Sequence, residues 1–276
     1  MGAIIADNLC SFEKSVICNP IKIEILIYNQ FMLIQEIHSK SILCASKIYP
    51  YVINPYTGCQ HNCLYCYAHF MRRFTGHKEP WGQFVDVKIN APELLRREIL
   101  RKKPDRVWVS GVCDPYQPLE AQYKITRQCL EILAQNDWPV TVQTRSPLVL
   151  RDLDILRQGR QFEAGFSVTT ADDRIRGLFE PTAPPIPERI RALGELHQAG
   201  IHTYAMIAPM LPGVENLPEL LAGKVEYVRL DRMNYHDADW VYRKYGLQDK
   251  RSDEYFAGAQ ALLCAKFVHL GIECRA

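Results

Sequence analysis

Asn54-Pro55-Tyr56-Thr57-Gly58-Cys59-Gln60-His61-Asn62-Cys63-Leu64-Tyr65-Cys66-Tyr67 places three cysteines within eight residues, spaced C-x-x-x-C-x-x-C. Thiolates this close suit a metal. A 3-then-2 spacing on one tight loop can bring the sulfurs to three corners of a single cubane, whereas structural zinc takes four ligands, often from two separated C-x-x-C pairs. The fourth corner then stays open to a substrate or cofactor, which is the arrangement of an enzyme rather than of a staple. The alternative is a non-enzymatic metal-binding protein whose three-cysteine zinc loop is completed by His61 or His69.

Outward from this loop the chain reads as strand, loop, helix, repeated. Residues 51–54 form a short first strand, 67–74 a helix ended by Gly76, and 85–89 a short extended piece. Pro92 opens an amphipathic helix over 93–102, as proline suits a first helical turn. Apolar strands follow at 106–111, 139–144, 164–170, 202–208 and 225–230, with helices at 121–136, 150–158, 187–199, 237–245 and 253–270. Six β-then-α units with short connections predict a parallel sheet with right-handed crossovers, two strands short of a full eight-stranded barrel. Residues 1–31 contribute one alternating segment, 21–27, that reads as an edge strand, and no chemistry.

Length and composition set wider bounds. A chain of 276 residues suits one α/β core, and 47% hydrophobic with 23% charged residues describes an ordinary globule. A net charge of +2 is too mild to announce a nucleic acid or an anionic membrane as partner. Basic runs at Arg72-Arg73 with His77-Lys78, and at Arg96-Arg97 with Arg101-Lys102-Lys103, read as solvated helix faces. No apolar run approaches the roughly 18–20 residues that span a bilayer. Ten cysteines over so long a chain, with a start that lacks a basic signal region, point to reduced cytoplasm rather than a disulfide scaffold. Cys10, Cys18, Cys44, Cys129, Cys264 and Cys274 have no tight spacing and read as ordinary buried thiols.

The cysteine spacing, with an aromatic before the third cysteine, resembles the radical S-adenosylmethionine (SAM) superfamily. The flanking N-P-Y-x-G-C and Y-C-Y-A resemble its spore photoproduct lyase-like branch, often labelled DNA repair photolyases. Further matches are D-P-Y-Q-P at 114–118, T-R-S at 144–146, S-V-T-T at 167–170, L-F-E-P at 178–181 and P-M-L-P-G at 209–213, so the resemblance covers about 32–234. It implies an open partial (β/α)6 TIM-type barrel over 32–276, preceded by an extension over 1–31. It also implies a 4Fe-4S cluster on Cys59, Cys63 and Cys66, with SAM chelated at the fourth iron. One electron from an external donor of flavodoxin or ferredoxin type would cleave SAM to a 5′-deoxyadenosyl radical that abstracts hydrogen from an unknown substrate. Repair of a DNA photoproduct is the alternative within the enzyme class; fold-level likeness does not name a reaction.

In barrels of this kind reactive groups lie at the C-terminal ends of strands, and every candidate falls on that rim. Tyr65 is expected beside the adenine, or else simply in the core. Gly111-Val112-Cys113-Asp114-Pro115 stands where the superfamily has a G-G-E-P-like turn, so Asp114 or its neighbouring carbonyls would meet the methionine ammonium. Arg145, where relatives often carry Lys, would pair with the SAM carboxylate or else form a surface salt bridge. Ser167 and Thr169 would reach the ribose or carboxylate, or be half-buried strand hydroxyls. Cys113 would return a hydrogen atom to a product radical, or merely pack. Glu180 is expected to position a loop at the rim, with no role assigned.

Overall fold

Valine, isoleucine and aromatic residues suit a pleated, buried surface, and the computed structural model, which describes residues 32–276, forms strands at all six expected places. The segment 21–27, Cys10 and Cys18 lie outside the described residues. The strands are β1 (Leu33–Ile37), β2 (Cys44–Ala45), β3 (Tyr51–Ile53), β4 (Tyr56–Thr57), β5 (Phe84–Lys88), β6 (Val107–Val109), β7 (Val140–Thr144), β8 (Phe162–Ser167), β9 (His202–Ile207), β10 (Tyr227–Leu230) and β11 (Glu273–Arg275). The helices are α1 (Ala91–Ile99), α2 (Glu120–Tyr123), α3 (Ile125–Gln135), α4 (Leu153–Gln158), α5 (Asp173–Phe179), α6 (Ile186–Gln198), α7 (Leu217–Leu221), α8 (Asp239–Lys244) and α9 (Asp253–His269).

β3, β6, β7, β8, β9 and β10 lie side by side in chain order, all parallel. This is the open partial barrel. β11 extends it in parallel beyond β10, and β2 closes the other edge antiparallel to β3. Alternate strand residues divide between two faces. Val107, Val109, Val140, Val142, Phe166, Ile207 and Val228 join Leu130, Leu133, Leu193 and Leu196 of the helices in one core. Each such side chain contributes about 1.5–3 kcal/mol by leaving water. The inner face is different: Thr141, Glu163, Tyr204, Tyr227 and Arg229 share it.

Several elements depart from expectation. A second sheet of order β1-β5-β4 stands beside the barrel, and β1 carried no expectation at all. Residues 67–74 form a 3-10 helix, which stacks Ala68 and Met71 on one buried edge at its three-residue repeat. The helix expected over 121–136 breaks at Lys124, which takes φ 55°. There the Glu120 carboxylate accepts the N–H groups of Thr126 (2.9 Å) and Arg127 (3.1 Å), satisfying the first turn of α3 from outside it. α5 and α7 are additional, and the fourth strand stops at Ser167 rather than at residue 170.

Cys264 and Cys274 are not free thiols. They form a disulfide that ties α9 to β11, with Cα atoms 5.3 Å apart, well inside bridging range. The chain reverses between the two elements and sets the cysteines face to face, a tertiary fact that their spacing does not carry. No helix among the described residues is long and apolar enough to cross a membrane.

Candidate active site

The cysteine loop leaves the barrel at the C-terminal end of β3 and is first fixed by β4, paired antiparallel to β5. Gly58 follows at φ 90°, where a Cβ would stand 2.2 Å from the Phe84 carbonyl oxygen, so only glycine lets the chain pass. Two tight turns come next: Asn62 N–H donates to Cys59 O (3.3 Å) and Cys66 N–H to Cys63 O (3.1 Å). The D-P-Y-Q-P segment clamps the loop from the side. Gln60 N–H donates to Gln117 Oε1 (2.9 Å), and Leu119 N–H returns a bond to Gln60 Oε1 (2.7 Å).

Cys59 and Cys63 are buried, Cys66 is partly buried, and all three are thiols. Burial first, then Asp114 and the thiols of Cys63, Cys113 and Cys66, push the Cys59 thiol up. Burial also raises Cys63, to about 12 against the pull of Arg145, and Cys66 against the Ala68 N–H. Burial holds these thiols neutral, and only the charge of a bound cation would offset that and displace their protons. Among the described residues no three Cys, His, Asp or Glu side chains converge closely enough for one metal ion. A cubane asks for less convergence, because each thiolate binds its own iron. The two imidazoles considered as a fourth zinc ligand point elsewhere. His61 Nε2 sits 3.2 Å from Asp114 Oδ2, and His69 Nε2 lies 3.2 Å from the Cys63 carbonyl. Three thiols on one loop are a donor set that an iron–sulfur cluster can use.

Asp114, after β6, spends both carboxylate oxygens on its neighbours. Oδ1 accepts from Tyr116 N–H (2.9 Å) and the Thr144 hydroxyl (2.6 Å), and Oδ2 from Arg145 N–H (2.7 Å). Burial alone would raise this carboxyl, but His61, the Thr144 hydroxyl and the Arg145 N–H outweigh it and hold Asp114 at about 2. Its visible work is to bind the loop after β6 to the loop after β7. Cys113, one residue earlier, is partly buried with Sγ 3.4 Å from Ser110 Oγ, and burial pushes its thiol up to about 11.

Arg145 is not a surface ion pair. Its Nη2 donates to Tyr65 OH (3.0 Å), its Nε lies 3.6 Å from Glu180 Oε1, and Nε is buried without a hydrogen-bond partner. Tyr65 is buried and donates its hydroxyl to Glu180 Oε1. Thr169 donates to the same oxygen (2.8 Å), and Arg189 Nη2 donates to Oε2. Glu180, wholly buried, is thus the hub that gathers Tyr65, Arg145, Thr169 and Arg189. Burial would raise its carboxyl, but Arg189 and Arg145 hold it down at about 2. Ser167 stands slightly apart: its hydroxyl accepts from Gln143 Nε2 (3.2 Å) and its carbonyl from Arg189 Nη1 (3.0 Å). Glu180 was visible in sequence only as part of L-F-E-P. Arg189 had no signal, since a helical arginine two residues before another, Arg191, reads as solvated.

A partial barrel whose C-terminal rim gathers two buried thiols and a partly buried one, a partly buried arginine and a buried carboxylate hub defines a cofactor-binding catalytic scaffold. The chain belongs to the radical SAM superfamily, whose family model matches residues 53–220. An uncharacterized protein of Methanocaldococcus jannaschii is 36% identical over 162 residues, 59% of this chain and 61% of the relative. An uncharacterized protein of Mycobacterium tuberculosis is 28% identical over 189 residues, 64% of this chain and 55% of the relative. The matches thus span little more than half of these relatives' own lengths. A radical SAM Nalpha-GlyT isomerase of Pseudomonas phage M6 is 26% identical over 58% of this chain and 33% of its own. Among solved structures, spore photoproduct lyase has the same fold, with a TM-score of 0.66 at 15% identity over 88% of this chain and 82% of that one. SuiB of Streptococcus suis, bound to its precursor peptide SuiA, gives a TM-score of 0.55 at 15% identity over 81% of this chain and 47% of that one.

Proposed function

We propose that this chain binds a 4Fe-4S cluster through Cys59, Cys63 and Cys66 and reductively cleaves SAM to start hydrogen abstraction from a substrate. When bound, the cluster and SAM supply the one-electron reduction of the sulfonium and the radical that follows from it. The observation that carries this reading is the set of three thiols on the rim loop beside Arg145, whose guanidinium hydrogen-bonds Tyr65 and approaches a carboxylate, Glu180, only to 3.6 Å. A guanidinium in that state suits the SAM carboxylate.

The chain's own residues do the holding. Glu180 fixes Tyr65 and Arg145 in one orientation, so Arg145 meets the cofactor with little reorganisation. Asp114 acts as a positioning residue through the Arg145 backbone; the Gly111, Asp114 and Pro115 carbonyls already accept bonds, so the Val112 and Cys113 carbonyls are the ones assigned to the ammonium. Ser167 accepts from Gln143 and keeps its own hydrogen to donate to ribose or carboxylate. Thr169 supports Glu180 rather than the cofactor. Cys113, on the same rim, is assigned to return a hydrogen atom to a product radical; the thiyl is restored by an electron from the external donor and a proton.

The names of relatives and neighbours diverge: a dinucleoside spore photoproduct for one, a precursor peptide for another, an isomerisation for a third. The proposal therefore stops at radical initiation, with a flavodoxin- or ferredoxin-type electron donor. Anaerobic reconstitution with iron and sulfide, then SAM and dithionite, should yield 5′-deoxyadenosine. No product from a cluster-loaded protein would overturn it.

A further inference from the structure

The inner face of the barrel carries a cation that the rim chemistry does not use. Arg229, on β10, is partly buried, with its guanidinium carbon 5.8 Å from the ring centre of Tyr49, 5.9 Å from that of Tyr204 and 5.7 Å from that of Tyr227. The cage is built in. Gly165 lets Tyr204 lie across the sheet, since a Cβ there would stand 2.2 Å from the Tyr204 ring, and Tyr204 stacks on Tyr227 at 5.1 Å.

Three aromatic faces stabilise a cation but do not neutralise it. Arg229 makes no ion pair among the described residues, and its Nε is buried with no hydrogen-bond partner. The nearby carboxylate, Glu163, is already committed. Its Oε1 takes the Thr141 hydroxyl (2.5 Å) and lies 3.6 Å from Arg106, while Oε2 takes the Tyr227 hydroxyl (3.0 Å) and lies 3.6 Å from His202. Two further observations point the same way. Arg275 stands in register with Arg229 on the neighbouring strand and lies 3.6 Å over the Tyr227 ring, so a second cation flanks the cage. Arg275 spends its own guanidinium on Glu273 (2.8 Å), which leaves Arg229 without an acid. Trp108, 5.5 Å from Tyr49, also has a buried indole N–H without an acceptor. The Tyr49 hydroxyl accepts from the Arg229 guanidinium, but it is neutral, so the patch holds a positive charge with no acid committed to it.

We propose that Arg229, with Trp108 packed on the same Tyr49 ring, anchors an anionic group of the substrate, a carboxylate or a phosphate, on the inner face of the barrel. Calling that ligand the substrate rests on the radical SAM reading; the anion site does not, and it is tested without cluster, SAM or turnover.

The test titrates the full chain with inorganic phosphate and with acetate at constant ionic strength, against chloride, following tryptophan fluorescence. Saturable binding of either anion is expected, with a signal that disappears in Trp108→Phe. Phosphate alone would mark a phosphate ester, and acetate alone a carboxylate. Arg229→Gln should weaken binding at least about tenfold, the scale of a lost charge-assisted contact, while Arg229→Lys keeps most of it. Wild-type protein that binds neither anion overturns the proposal whatever the variants do. So does equal affinity in wild type and Arg229→Gln, which would leave Arg229 a packing pillar among tyrosines. So does a signal that survives in Trp108→Phe, which would put the anion elsewhere.

Discussion

Replacing Glu180 by Gln keeps the side chain's size and removes the charge on which the rim converges. Arg189, with no side-chain exposure, is then left with only the Pro184 and Ser167 carbonyls, at 2.8 and 3.0 Å. Breaking a buried pair in this way costs roughly 3–5 kcal/mol, because the remaining charge is unpaired in a low dielectric. Titration gives a second route to the magnitude. The Glu180 carboxyl lies at about 2 against an ordinary 4.5, a gap worth roughly 3 kcal/mol. A carboxyl lowered on folding stabilises the protein above its unfolded pKa, and that contribution is lost as pH falls through 4.5 toward 2. Thermal melting of wild type and Glu180→Gln from pH 7 to pH 3 is the assay. At pH 7 the variant should melt about 6–20 °C lower, taking roughly 2–4 °C per kcal/mol, and the gap should close as the pH drops. Equal melting temperatures at pH 7, or a gap constant with pH, would refute the hub.

Arg145→Ala should weaken SAM binding about ten- to a hundredfold, measured by equilibrium dialysis on cluster-loaded protein; an unchanged affinity would confine Arg145 to its Tyr65 and Glu180 contacts. Cys113→Ser keeps the volume but replaces a weak S–H bond with a strong O–H bond, so the product mixture read by mass spectrometry should shift toward radical by-products; an identical mixture would make Cys113 a packing residue. Reducing the Cys264–Cys274 bridge frees a short loop and should lower the melting temperature by an amount corresponding to roughly 2–3 kcal/mol, and Cys264→Ser/Cys274→Ser should lose that sensitivity to reductant.

The barrel was legible because its strands carry Val, Ile, Phe, Tyr and Trp at closely spaced positions, and because short connections leave few topologies. β1 was not, since Leu33–Ile37 has strand character only when β5 lies beside it. The break at Lys124 was hidden for a related reason: Glu120, which caps α3 from outside, reads locally as a good helix former. The three cysteines announced themselves by spacing, as short-range motifs do. The roles of Glu180 and Arg189 depend on contacts across the fold, such as Glu180 to Tyr65, 115 positions apart, and no local pattern encodes those. Arg145 was read as cofactor contact or surface pair, and its burial against Tyr65 removes the second option. The Cys264–Cys274 bridge was missed because a reversal at the end of α9, not sequence spacing, brings the sulfurs together.

The central claim is that Cys59, Cys63 and Cys66 support reductive cleavage of SAM. Formation of 5′-deoxyadenosine by anaerobically reconstituted protein, compared with its Cys59→Ala/Cys63→Ala/Cys66→Ala variant in one experiment, tests it most directly. The wild type should be brown and form the nucleoside only when reduced, and the variant should be colourless and form none. Equal 5′-deoxyadenosine from the triple variant would contradict the account at its root.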